Sequence, residues 1–148
     1  MRFNNAKEAI EAHKKFPRNF VCQDGLCNAR IIKILKEISY KSKVLDAGCN
    51  DGQLGAVLIN KLKCEVYGVD VSNLVKEEAV KNGVKFYNST IEKMPFEKNL
   101  FGVVITAETL EHIFDLDVAL KEIKRVLKPD GILVGTVPHP DVEDMDDE

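Results

Sequence analysis

The chain has 148 residues, 45% hydrophobic and 30% charged, which supplies one buried core and leaves no length for a second domain. Its start, Met1-Arg2-Phe3-Asn4-Asn5, lacks an apolar core of the signal-peptide kind. No run approaches the roughly 18 to 20 apolar residues that span a bilayer, so a cytoplasmic protein with no membrane partner is expected. The net charge of −3 is uneven, with six of the 24 acidic residues between Asp141 and Glu148 and the other 18 set against 21 basic ones. An excess that small gives no reason to expect a nucleic-acid partner.

In chain order, Ala6, Ala9, Ile10 and Phe16 form one helical stripe after an Asn5 cap, and Pro17 ends it. A second helix is expected from Asn28, with Ile31, Ile34, Leu35 and Ile38 inward. From Lys43 the pattern alternates: strand 43–47, helix 53–62, strand 65–69, helix 73–81, strand 84–88, strand 100–106 and helix 115–127. The turn Lys128-Pro129-Asp130-Gly131 and strand 132–137 complete it. Val44-Leu45, Val103-Val104-Ile105 and Ile132-Leu133-Val134 are continuous apolar runs, as strands are when helices cover both faces of a parallel sheet. The expected fold is α/β and doubly wound, with a mostly parallel five-stranded sheet. Residues 1–140 then form one domain with a helical cap in 1–40, and 141–148 a solvated acidic tail.

The cysteines, Cys22, Cys27, Cys49 and Cys64, lack the Cys-x-x-Cys spacing of a zinc site and are few for a disulfide scaffold. Free thiols and no metal are expected, with Cys22 and Cys27 near enough in sequence to meet across Gln23-Asp24-Gly25-Leu26.

The stretch Val44-Leu45-Asp46-Ala47-Gly48-Cys49-Asn50-Asp51-Gly52 runs a buried strand into a glycine loop, and Asp70 closes the next strand. Open α/β sheets hold adenosine-containing ligands with these parts. A phosphate-binding loop needs lysine followed by serine or threonine after its glycines, and Gly52-Gln53-Leu54-Gly55 has neither. Glycines at 48, 52 and 55 also miss the dinucleotide spacing. Asp46 and Asp51 flank the turn and oppose a pyrophosphate at the next helix N-terminus. They favour a ligand with a cationic centre instead, such as a sulfonium.

Four segments in order, VLDAGCNDGQLG, VYGVDVS, MPFEKNLFGVVITAETLEHI and LKEIKRVLKPDGILVGTVP, resemble the class I S-adenosylmethionine-dependent methyltransferases over about residues 43–140, in particular their small-molecule branch. The resemblance implies a Rossmann-like fold and S-adenosyl-L-methionine as cofactor. It places Asp46, Gly48, Cys49 and Asn50 around the methionine part, Asp70 on the ribose hydroxyls and Val71 on the adenine face. Thr90 and Ile91 fall at the adenine edge, and Thr106 and Ala107 beside the methionine tail. A structural role remains open for three of these: a helix cap for Asp70, core packing for Val71 and Ala107.

The sequence departs from the family pattern at Asn50, usually glycine, at Thr90, often aspartate, and at Gly102, commonly aspartate. It also stops after the fifth strand, where the family continues through further strands. That makes the fifth-strand edge a surface for a second copy or a partner chain. Methyl transfer to a small-molecule acceptor is the expected activity, with a truncated, non-catalytic binding subunit as the alternative. A general base is required only for a hydroxyl or a protonated amine, and His112 and His139 are the candidates. His112 with Glu111 equally well caps the following helix, and His139 equally well is a surface histidine.

Overall fold

The structure, a computed structural model, describes residues 29–138. The expected first helix, the Cys22 and Cys27 pair, His139 and the acidic tail lie outside the described residues. Helix α1 (Ala29–Lys36) leads into β1 (Lys43–Ala47), α2 (Gln53–Leu62) and β2 (Glu65–Asp70). A 3-10 turn (Asn73–Val75), α3 (Lys76–Lys81), β3 (Lys85–Asn88) and β4 (Phe101–Ala107) follow. A second 3-10 turn (Leu110–His112), α4 (Leu116–Val126) and β5 (Leu127–Thr136) complete the order.

The five strands form one sheet in the order β3-β2-β1-β4-β5, parallel at every pairing. The doubly wound expectation holds, and its helices cover both faces. Val44, Val66, Val103 and Ile105 meet Ile34 of α1, Leu58 of α2 and Ala79 of α3 in one core. Leu45, Ala47, Val69 and Val104 meet Ala119, Ile123 and Val126 of α4 in the other, together with Ile91, Met94 and Phe101. Adjacent residues of one strand thus serve opposite layers, which is why the strands read as unbroken apolar runs. Connection 89–100 is pinned to α4 by charge: Glu122 accepts from the Met94 amide at 2.9 Å, and Arg125 donates to the Phe96 carbonyl at 2.7 Å.

Three expected elements differ. The helix at 73–81 is a 3-10 turn followed by α3, and the Ser72 side chain makes no capping hydrogen bond. Instead the Ser72 amide donates to Asp70 Oδ1 at 2.9 Å. Residues Lys128 to Gly131 do not end the last helix before a new strand. They bulge within β5, since Phe101 pairs with Leu127 and Val103 with Ile132, so one β4 residue spans four on β5. Helix α4 takes its cap from Asp115, whose Oδ1 accepts from the Val118 amide at 3.1 Å, so Glu111 and His112 are not its caps.

Among the described residues β5 is an outer strand of the sheet. Ile132 and Leu133 point to opposite faces and are each 40% exposed, whereas their β4 partners Val103 and Val104 are buried. Among the described residues, no helix is long and apolar enough to cross a membrane.

Candidate functional site

From β1 the chain steps to β2 on one side, and β4 lies on the other. The carboxyl ends of β1 and β4 therefore part the connections, where ligands settle in open α/β sheets. There Gly48, with φ of 86°, turns the chain over the end of β2, and the amides of Gly48 and Cys49 both donate to the Val69 carbonyl, at 2.8 and 3.0 Å. A Cβ on Gly48 would lie 2.6 Å from both Cγ2 and Oγ1 of Thr109. The glycine thus accommodates Thr109 as well as the left-handed turn. Gly48→Ala is expected to cost about 2–4 kcal/mol, the sum of left-handed strain and overpacking. Urea denaturation should show this, with part of the loss restored in Gly48→Ala/Thr109→Ala; equal losses in both proteins would exclude the clash.

Asn50, the departure from glycine, has φ of 48°, a conformation asparagine adopts more readily than most residues. Its amide donates to Asp70 Oδ2 at 3.0 Å. With the Ser72 bond, Asp70 ties the glycine loop to the end of β2. Cys49 is buried beneath the loop, its sulfur 2.6 Å from where a Gly68 Cβ would sit. Burial, reinforced by the nearby aspartates, pushes its thiol well above the ordinary range, so it is an inert packing group. Cys49 and Cys64 are both free, and both are buried.

Asp46 is 2% exposed, and the described residues form no hydrogen bond to its carboxylate. Burial, followed by the charges of Asp70 and Asp51, raises its pKa from 3.8 to about 7. It lines a cavity of about 40 Å³ shared with Arg30, Ile34, Gly48, Gln53 and Ala107, room for roughly three water molecules. Gln53 Oε1 is a buried acceptor without a hydrogen-bond partner, while Gln53 Nε2 donates to Asp51 Oδ2 at 2.8 Å. Two acceptors in so small a space suit a cationic head group. A nucleoside is too large for it and would extend over the loop toward Asp70.

Asp46, Gly48, Cys49, Asn50 and Ala107 all line this cavity. Asp70 borders it through Asn50, and half-buried Val71 follows. Thr106 does not join them, because it shares the Leu45 face of the sheet and is fully buried. Ile91 belongs to the core under α4, and the half-buried Thr90 accepts a hydrogen bond on its carbonyl from Ser89 Oγ at 3.0 Å. The Ile91 side chain is committed to packing in that core. His112 ends the 3-10 turn after β4, its Nε2 3.7 Å from Glu111 Oε1.

Sequence reasoning missed Arg30 and Gln53. Arg30 contacts Glu108, which has φ of 50° at the end of β4. Burial lowers the guanidinium pKa, and the field of Glu111 partly restores it. The available signal was Arg30 standing in the i, i+4 line with Ile34 and Ile38. Gln53 offered none, since only the loop's path turns it to the cavity. Among the described residues, no group of three or more His, Cys, Asp or Glu side chains is disposed to hold a metal ion.

A doubly wound parallel sheet with a glycine loop, a buried acid near the end of β1 and an acid closing β2 defines a nucleoside-cofactor domain. The family model described as "Methyltransferase domain" matches residues 45–135. The chain belongs to this family, the class I S-adenosylmethionine-dependent methyltransferases, whose cofactor is S-adenosylmethionine. It is 32% identical over 99 residues to the mitochondrial arginine-hydroxylase NDUFAF5 of Mus musculus, covering 63% of this chain and 28% of that one. To the ubiquinone biosynthesis O-methyltransferase of Pelagibacter ubique it is 34% identical over 96 residues, covering 62% and 40%. Among solved structures, the YcgJ protein of Bacillus subtilis matches with a TM-score of 0.65 and 26% identity, covering 72% of this chain and 49% of that one. The matched region thus spans less than half the length of these three proteins.

Proposed function

We propose that this chain binds S-adenosylmethionine at the β1 and β2 ends and transfers its methyl group to a small-molecule acceptor. The observation that carries the reading is Asp46, a buried carboxylate beside a cavity sized for a cationic group, with Asp70 fastening the adjoining loop. The cofactor supplies an activated methyl group on a sulfonium. The chain supplies an acid for the cationic end at Asp46, an acceptor at Gln53 and hydroxyl acceptors at Asp70. Arg30 offers a cation to the cofactor's carboxylate. In-line displacement draws most of its acceleration from such positioning.

Relatives carry names for both arginine hydroxylation and O-methylation, so family membership leaves the acceptor open. His112 is the base candidate among the described residues. The alternative of a non-catalytic subunit is not favoured, because these similar proteins bear enzyme names. Calorimetry with S-adenosylhomocysteine tests the cofactor site, with one-to-one micromolar binding expected; absence of binding at millimolar ligand would end the reading.

A further inference from the structure

We propose that Asn82, the residue that ends α3, is a positioning residue for the cofactor: acting through Asp51, it aims the side chain of Gln53 at the ammonium of the cofactor's amino-acid end. The inference rests on the cofactor reading above and adds the contacts that fix the loop's aim.

Asp51 and Gln53 both line the cavity. The Asn82 side chain reaches them from a separate element, its Nδ2 donating to the Asp51 carbonyl at 2.8 Å. One turn earlier in α3, the Ala79 Cα lies 2.9 Å from where a Gly52 Cβ would sit, and Gly52 has φ of 79°. Helix α3 therefore grips two consecutive residues of the loop, Asp51 by a hydrogen bond and Gly52 by contact. Asn82 is itself fixed, half-buried and with its backbone amide donating to the Glu78 carbonyl at 2.9 Å. Asparagine before Gly83 serves as a helix stop, but a stop needs no side-chain bond to a loop 31 residues away.

Asp51 passes the constraint on. Its Oδ1 accepts from the Gln53 backbone amide at 3.3 Å, and its Oδ2 accepts from Gln53 Nε2 at 2.8 Å. With Nε2 committed to Asp51, the planar side-chain amide turns its oxygen the other way. That oxygen, Gln53 Oε1, is buried and has no hydrogen-bond partner. Leaving a buried amide oxygen unpaired is costly, and an N–H supplied by a ligand removes the cost. A sulfonium carries no hydrogen to donate, whereas the ammonium at the amino-acid end of the cofactor does. Gln53 Oε1 therefore pairs with the ammonium, and its direction is set by Asp51 and, behind Asp51, by Asn82.

The test is calorimetry on the full chain with two ligands: S-adenosylhomocysteine, which has the ammonium, and methylthioadenosine, the same nucleoside without the amino-acid end. Asn82→Ala is expected to weaken S-adenosylhomocysteine binding about tenfold and to leave methylthioadenosine binding within about twofold. Gln53→Ala should do the same. The double variant should bind S-adenosylhomocysteine within about twofold of Gln53→Ala, because both substitutions remove one chain of contacts. Asn82→Asp keeps the shape without the donor and should follow Asn82→Ala, with urea denaturation showing that each variant is folded. Equal weakening of both ligands, additive losses in the double variant, unchanged S-adenosylhomocysteine affinity, or failure of both Asn82 variants to fold would overturn the proposal. Should methylthioadenosine bind the wild-type chain too weakly to measure, the double variant decides. If the wild-type chain fails to bind S-adenosylhomocysteine, the cofactor reading falls and the inference with it; wild-type binding that is indifferent to Asn82 removes the inference alone.

Discussion

Asp70→Ala is expected to weaken S-adenosylhomocysteine binding about a hundredfold, roughly 2.8 kcal/mol, and to destabilise the free protein by about 2–4 kcal/mol. The two losses have different origins. The carboxylate accepts the amides of Asn50 and Ser72 at 3.0 and 2.9 Å, and hydrogen bonds to a charged group contribute about 1.5–3 kcal/mol each. Removing it takes away one tie between the glycine loop and the end of β2 and leaves the Gly48 and Cys49 amides on the Val69 carbonyl. A carboxylate offers about four acceptor positions, so holding these amides is compatible with accepting ribose hydroxyls. Asp70→Asn retains one acceptor oxygen and should recover part of the stability but little of the affinity. Calorimetry and urea denaturation on both variants separate the effects, and a destabilised Asp70→Ala that binds as tightly as wild type would reduce Asp70 to a loop tether.

The second large effect concerns pH. Asp46 in the folded chain titrates at about 7 against 3.8 for an unperturbed aspartate. At 1.36 kcal/mol per pH unit this corresponds to about 4 kcal/mol. Because the folded state holds the proton more tightly, its favourable contribution is full below pH 3.8 and is lost as pH rises to about 7. Stability should therefore fall between pH 5 and pH 7 and level off above. Asp46→Asn should flatten that slope and be more stable than wild type at pH 8 by about 2–4 kcal/mol. Glu65 and Glu122 are both held below their ordinary values, Glu65 by Lys85 and Glu122 by Arg125, so they change charge at lower pH and leave this window clear. The comparison with Asp46→Asn isolates this carboxylate from every other group.

Ligand affinity should run the other way. A cationic group beside Asp46 favours the ionised carboxylate, so affinity for S-adenosylhomocysteine should rise as pH increases through 7, with proton release on binding at pH 6.5. Calorimetry in buffers of different ionisation enthalpy measures that release. No proton release, with affinity flat from pH 6 to 8, would place the ligand's cation away from Asp46.

The strands and helices were legible because their signals are local. β1 and α2 fall on the expected residues, 43–47 and 53–62, where an apolar run meets a glycine loop and then a helical stripe. The 3-10 turn at Asn73–Val75 and the bulge in β5 were not legible. The first depends on Asp70 taking the Ser72 amide. The second depends on Val103 drawing Ile132 into register after Phe101 has already paired with Leu127. The second is decided by a strand distant in sequence and the first by where the Asp70 side chain turns, and a local pattern contains neither.

The same division runs through the site. Asp46, Gly48 and Asp70 could be read from the order of motifs, since each stands where a strand ends and a parallel sheet collects its strand ends at one edge. The sequence by itself therefore determined the α/β class, the family's sulfonium cofactor and the acids of the candidate site. Only the tertiary structure decided that Asp46 is desolvated enough to titrate near neutrality and that Gly48 makes room for Thr109. It also decided that Thr106 and Ile91 face the α4 layer, and that Arg30 from α1 reaches Glu108 at the end of β4. Those properties depend on burial and on side chains approaching from separate elements, and both come into being only when the layers close.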